Sequence, residues 1–210
     1  MPSPRPRRRL STAALTIALL AGLTPAADAA GADPASGTSV FRDGFETPVV
    51  AEGQFRRYPA GSHLGPWTVT RGDVDLATTR LWQVTEGRQN LDLDGAGNGT
   101  IETTIPVRPL TTYRITYDLA GNPAAAPLVK TGEIRVNGRT VQRFTFDTGR
   151  TSLSRMAFTT GSVSVFSLTG SMRLEFASTT APAGWGPVID DVRVDSCLIL
   201  LCPAGKAARV

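Results

Sequence analysis

Gly184-Trp185-Gly186-Pro187-Val188-Ile189-Asp190-Asp191-Val192-Arg193-Val194 is a glycine-rich turn running into an apolar strand that carries two adjacent carboxylates. Acidic residues are depleted in strands, so two in a row need a physical reason. Strand alternation puts Val188, Asp190, Val192 and Val194 on one side, and Ile189, Asp191 and Arg193 on the other. Unless a bulge intervenes, one carboxylate points towards the apolar side. A buried carboxylate there needs a cation or several hydrogen-bond donors.

Upstream, the same short alternating runs recur. Tyr113-Arg-Ile-Thr-Tyr-Asp-Leu119 places Tyr113, Ile115, Tyr117 and Leu119 on one face. Gly99 to Val107 alternates Ile101, Thr103 and Ile105 against Thr100, Glu102 and Thr104. Further runs are Trp67 to Thr70, Asn90 to Leu93, Ile134 to Val136, Val141 to Phe146, Ser162 to Leu168 and Met172 to Phe176. Gly, Pro, Asn and Asp punctuate them, and Asn137-Gly138 is the signature of a two-residue hairpin. Leu168-Thr-Gly-Ser171 reads as a tight reversal, and Asp94-Gly-Ala-Gly-Asn-Gly99 as a hairpin connection. The pattern predicts an all-β fold, a two-sheet antiparallel jelly-roll sandwich.

The first residues are of another kind. Arg5, Arg7, Arg8 and Arg9 precede an apolar stretch from Leu10 to Leu23, and Ala27-Asp28-Ala29 is a small-x-small cleavage site. Residues 1–29 read as a secretory signal peptide, and the apolar run is short for a membrane span. Residues 30–39 are small and polar, a flexible lead-in. Residues 40–195 form the jelly-roll domain, and 196–210 a tail. The chain has 22 basic and 18 acidic residues, and cleavage would leave 18 and 17. The high isoelectric point therefore belongs to the leader. No basic cluster with interleaved aromatics remains, which excludes nucleic acid as the expected partner. Cys197 and Cys202 are the two cysteines. An oxidising compartment favours their pairing, a short loop worth about 2 kcal/mol.

Three sets of residues carry candidate chemistry. Phe41-Arg-Asp-Gly-Phe-Glu-Thr-Pro48 supplies Asp43 and Glu46. First and last strands of a jelly roll commonly lie side by side. Glu46, Asp190 and Asp191 could then share a hard cation such as Ca²⁺; the alternative is carboxylates met by Arg or by hydrogen-bond donors. Trp82, Trp185 and Tyr58 offer amphipathic faces on which sugar rings could stack, whereas Trp67, inside an alternating strand, belongs to the core. Asp73, Asp75, Asp92 and Asp94 point outwards from strands, either onto a binding face or into solvent. His63 is the only histidine, and no Gly-x-Ser-x-Gly elbow supports a serine hydrolase. No enzyme is expected.

Asp43-Gly-Phe-Glu-Thr-Pro48, Tyr58-Pro-Ala-Gly-Ser62, Trp82-Gln83, Leu91-Asp-Leu-Asp-Gly95, Tyr117-Asp-Leu-Ala-Gly-Asn122 and Gly186-Pro-Val-Ile-Asp-Asp-Val192 follow one another in a familiar order. The chain resembles the bacterial choice-of-anchor C family of secreted proteins. It is also similar to the plant cell-wall family known as domain of unknown function 642. The resemblance implies a galactose-binding-like jelly roll, an extracellular location and a cell-wall polysaccharide partner; plant relatives are associated with pectic material. It also implies a structural Ca²⁺ between Phe45-Glu46 and Asp190-Asp191-Val192. The plant proteins usually carry Cys where Trp185 stands. The four apolar residues between Cys197 and Cys202 cannot span a bilayer, so free secretion as a monomer is expected. The reading is a secreted, non-catalytic polysaccharide-binding module. The alternatives are an adhesive protein with a protein partner, and a glycan-active hydrolase.

Overall fold

The computed structural model describes residues 37–197. The expected signal peptide 1–29, most of the expected lead-in, and the tail from 198, including Cys202 of the expected disulfide, lie outside the described residues. Among the described residues, no helix is long and apolar enough to cross a membrane.

Thirteen strands form two antiparallel sheets that face each other as a jelly roll. One sheet runs β11 (Thr159–Ser167), β8 (Thr111–Gly121), β13 (Pro187–Ser196), β6 (Gln89–Asp92), β5 (Asp73–Thr78) and β2 (Phe55–Pro59), with β1 (Ser39–Asp43) also paired to β13. The other runs β10 (Arg139–Asp147), β9 (Val129–Val136), β12 (Ser171–Ser178), β7 (Thr100–Pro106), β4 (Trp67–Arg71) and β3 (His63–Leu64). The first and last strands do meet: Asp43 pairs with Val192 and Phe41 with Val194.

The core follows the alternation. Val74, Leu76, Leu91, Ile101, Ile115 and Tyr117 all face inwards and are buried. Trp67 sits at the centre, fully buried, with Phe41, Phe45 and Phe176 within 5.5–6.0 Å ring to ring. Its Nε1–H donates to Asp43 Oδ2 at 2.8 Å, so the first strand is tied to the core by a charge-assisted bond. Asn137 and Gly138 both adopt positive φ (51° and 78°), as the two-residue hairpin between β9 and β10 requires.

One turn differs from its sequence reading. Asp94–Gly99, expected to close a hairpin, joins β6 to β7 and carries the chain from one sheet to the other, as the tight reversal Leu168–Ser171 does between β11 and β12. A glycine-rich turn looks the same in sequence whether it closes a hairpin or crosses a sandwich.

The adjacent carboxylates are explained by a bulge. Asp191 has φ 45°, and the β13–β8 register shifts between Asp190 and Arg193. The extra residue lets Ile189 and Val192 both enter the core. Neither carboxylate has to point into it.

Replacing Trp67 with Phe deletes the donor to Asp43 and part of the ring contact. Urea unfolding should show a loss of about 1–3 kcal/mol with an unchanged m value.

Candidate functional site

The three carboxylates expected to share a cation are each met by donors of their own. Asp190 is fully buried. Its Oδ2 accepts from Thr85 N (2.8 Å), Thr85 Oγ1 (2.9 Å) and Glu86 N (3.0 Å), and its Oδ1 from Asp191 N (2.8 Å). Glu46 Oε1 accepts from Arg88 N (2.7 Å) and Gln89 N (2.9 Å). Asp191 is bound by the Arg193 guanidinium, with Arg42 Nε 3.3 Å away. The groups facing these oxygens are N–H and O–H donors, whose positive ends would repel Ca²⁺. The residues present do not fit the expected metal, and no cluster of three or more candidate ligands occurs among the described residues.

Residues 85–89 stand where the cation was expected. Their peptide N–H groups reach Asp190 on the last strand and Glu46 just after the first. Gly87, at φ 60°, is required here, because a Cβ would run into the Glu46 side chain.

Trp82 and Trp185 do come together. They line a cavity of about 520 Å³ with Phe55, Arg57, Asp75 and Asn122, closed by small residues of the 95–96 and 183–184 turns. Tyr58 does not join them. It is 8% exposed within the core, paired across from Val74. Phe55, three residues earlier and 53% exposed, takes the place expected for Tyr58. Residues 55 and 58 have opposite parity in β2, so only one of them can face the core.

Arg57 and Asp75, on the floor of the cavity, begin one cross-strand row that continues beneath it. Arg57 lies opposite Asp75, Asp75 opposite Asp92, Asp92 opposite Val188, and Val188 opposite Ala120. Two carboxylates side by side on one face repel each other, which marks this row as costly to build. Each has its own remedy. Arg57 Nε and Nη2 donate to Asp75 Oδ1 (2.9 Å) and Oδ2 (2.8 Å). Asp92 Oδ1 accepts from Asp94 N (2.9 Å) and Gly186 N (3.0 Å), and its Oδ2 from Asn122 Nδ2 (2.8 Å). Burial pushes the Asp92 carboxyl well above the usual carboxylate range. Asp94 is also buried and raised by desolvation. Lys130, itself fully buried, donates to Ala125 O at 2.8 Å. Burial lowers its pKa, against the pull of Asp92 and Asp94. Asp75, Asp92 and Asp94 are therefore not a solvated face.

The aromatic walls are held by the same network. Gly186 N reaches Asp92, and Gly186 O accepts from Asn122 N (2.9 Å), which fixes the turn carrying Trp185. A Cβ on Gly186 would lie 2.7 Å from Asp92 Oδ1, so only glycine permits this approach. Next to Trp82, Gln83 N donates to Leu153 O (2.8 Å) and Gln83 Oε1 accepts from Met156 N (2.7 Å). Trp82 packs on the small cluster Ala120, Met156 and Val188. Trp185 is 41% exposed, leaving ring area free at the rim. A cavity with this lining suits a ligand with apolar faces and hydroxyl-bearing edges.

Two outcomes follow for the carboxylates. A chelator should leave the melting temperature of the domain unchanged. Burial pushes Asp190 from the ordinary 3.8 up to about 7, against the pull of its donors. With its folded pKa above its unfolded value, the folded protein holds the proton more tightly. That contribution is whole below about pH 4 and is lost as pH rises through about 7. Asp92, Asp94 and Asp43 are shifted the same way. Thermal melts should show Tm falling across this window, and Asp190→Asn should flatten the fall; a Tm that rises from pH 4 to 7 would contradict it.

No curated protein matches this chain. Several solved structures are similar to it. A family 35 carbohydrate-binding module from Clostridium thermocellum has 15% identity, over 67% of this chain and 97% of that one, with a TM-score of 0.48. The tandem of family 22 modules of Xyn10C from Paenibacillus barcinonensis has 17% identity, over 83% of this chain and 49% of that one, with a TM-score of 0.49. A family 35 module from the same organism has 22% identity, over 66% and 97%, with a TM-score of 0.43. The family match runs over residues 41–195, from β1 into β13, and on it the chain belongs to the family described as "Protein of unknown function (DUF642)".

Proposed function

We propose that this protein is a secreted, non-catalytic carbohydrate-binding module, and that it holds glycans of the cell-wall kind in the Trp82–Trp185–Phe55 cavity. The observation that carries the reading is the convergence of three aromatic side chains from distant segments over one polar floor. Sugar rings present C–H faces that pack on aromatic rings, and equatorial hydroxyls that need planar donors and acceptors at the edge. Arg57, Asp75 and Asn122 are such groups. Asn122 Oδ1 accepts only from Ala124 N in its own turn (3.0 Å), and three of the five guanidinium N–H groups of Arg57 are not engaged by Asp75. The volume, about 520 Å³, lies in the range of small-ligand sites.

The lining argues for binding without turnover. A glycosidase needs two carboxyl groups free to exchange a proton or attack the sugar. Among the described residues, Asp75 is the one carboxylate lining the cavity, and its two oxygens are both held by Arg57.

The test is retention on a panel of soluble and insoluble polysaccharides, with Trp185→Ala as control. The wild-type domain should be retained by at least one glycan. The variant should bind it about tenfold more weakly or worse, since it loses the exposed stacking face. Its melting temperature should stay near wild type, because the ring lies at the rim. No retention on any glycan would contradict the reading and favour a protein partner. Release of reducing sugar would contradict the non-catalytic part.

A further inference from the structure

We propose that the cavity selects neutral sugars and rejects uronic acids; this rests on the carbohydrate reading above and narrows it. Among the described residues, Arg57 is the one cationic side chain lining the cavity. A free guanidinium there would be a receptor for a sugar carboxylate, because its fork matches that group in two parallel bonds. One edge of this fork is already filled, and its charge is already met by carboxylates. Asp75 takes Nε and Nη2 at 2.9 and 2.8 Å, and Asp73 Oδ2 stands a further 3.7 Å from Nε. Asp73 is itself fixed, accepting from Gly97 N at 2.8 Å through its other oxygen.

The wider surroundings do not change this. Lys130 is fully buried and donates to Ala125 O, so it offers the site no free cation. A uronate entering this site finds no uncompensated cation within it. To pair with Arg57 it must either come as a third carboxylate to the remaining Nη edge, against the repulsion of Asp75 and Asp73, or displace Asp75, which is 7% exposed and would be left buried without its partner. A hydroxyl meets neither obstacle. It can accept from the N–H groups of Arg57 that Asp75 leaves free, and donate to a carboxylate oxygen of Asp75, without adding charge. The compensated pair is a hydrogen-bonding plate and not a charge receptor.

The experiment is affinity electrophoresis of the full mature domain in gels containing neutral polysaccharides (β-glucan, xylan, galactan, arabinan) or uronates (polygalacturonate, alginate). Runs at low and at physiological salt separate site binding from surface attraction. Retardation by a neutral glycan, with uronates weaker by roughly tenfold or more, is the expected result. Asp75→Asn, and independently Asp73→Asn, which leaves the Arg57–Asp75 pair in place, should raise the relative affinity for polygalacturonate severalfold at low salt. Uronates binding as well as or better than neutral glycans, with that binding lost in Trp185→Ala, would overturn the proposal and leave the carbohydrate reading standing. No retardation by any glycan would overturn both.

Discussion

The Asp92 carboxylate is the constraint on which the rest of the site depends. It is 1% exposed, flanked across the sheet by Asp75, and cannot stay there as a bare charge. Its three partners come from three separate segments: Asp94 N in the crossing turn, Gly186 N before β13, and Asn122 Nδ2 after β8. Satisfying one buried group therefore fixes three loops at once. Those loops are the walls of the cavity. Trp185 lies beside Gly186, Ala124 is two residues from Asn122, and Gly95 adjoins Asp94. A polar group that costs stability in isolation becomes the pin that orients an aromatic ring some residues away.

A second constraint closes the sandwich. Its last strand, β13, pairs with β8 on one side and with β6 and β1 on the other. The bulge at Asp191 lets that strand keep apolar residues in the core on both sides of a pair of acids. Each acid is then met by donors. Peptide N–H groups of residues 85–89 meet Asp190 and Glu46, and two arginines meet Asp191. The hold on Glu46 depends on backbone geometry at Gly87.

The architecture was legible because period-2 runs with turn residues between them allow little else. Asn137-Gly138 fixed its hairpin through positive φ at both positions, and Trp67 was readable as core from its place in an alternating run. The meeting of the first and last described strands was readable too. What could not be read is instructive. The bulge falls on Asp191, a residue whose left-handed φ leaves no mark in sequence. In Phe55-Arg-Arg-Tyr-Pro59 the two aromatics have opposite parity, so alternation alone does not say which is buried; the pairing of Tyr58 with Val74 does. Asp75, Asp92 and Asp94 looked like a wet face because their burial is caused by loops that pack over the sheet from far along the chain. Trp82 and Trp185 could each be named, but the cavity joining them is a product of tertiary structure.

Both candidate tryptophans lie on one side of the molecule, and Trp67, the third, is sealed in the core. That separation gives a direct measurement. In a two-dimensional ¹⁵N–¹H spectrum the three indole N–H groups give separate signals. Titration with soluble fragments of a retained glycan should shift the Trp82 and Trp185 indole signals, along with the amides of Gly95, Asn122 and Gly184, while Trp67 stays still. Saturable binding that leaves both rim indoles unmoved, with shifts gathered on β9, β10 and β12 instead, would contradict the account.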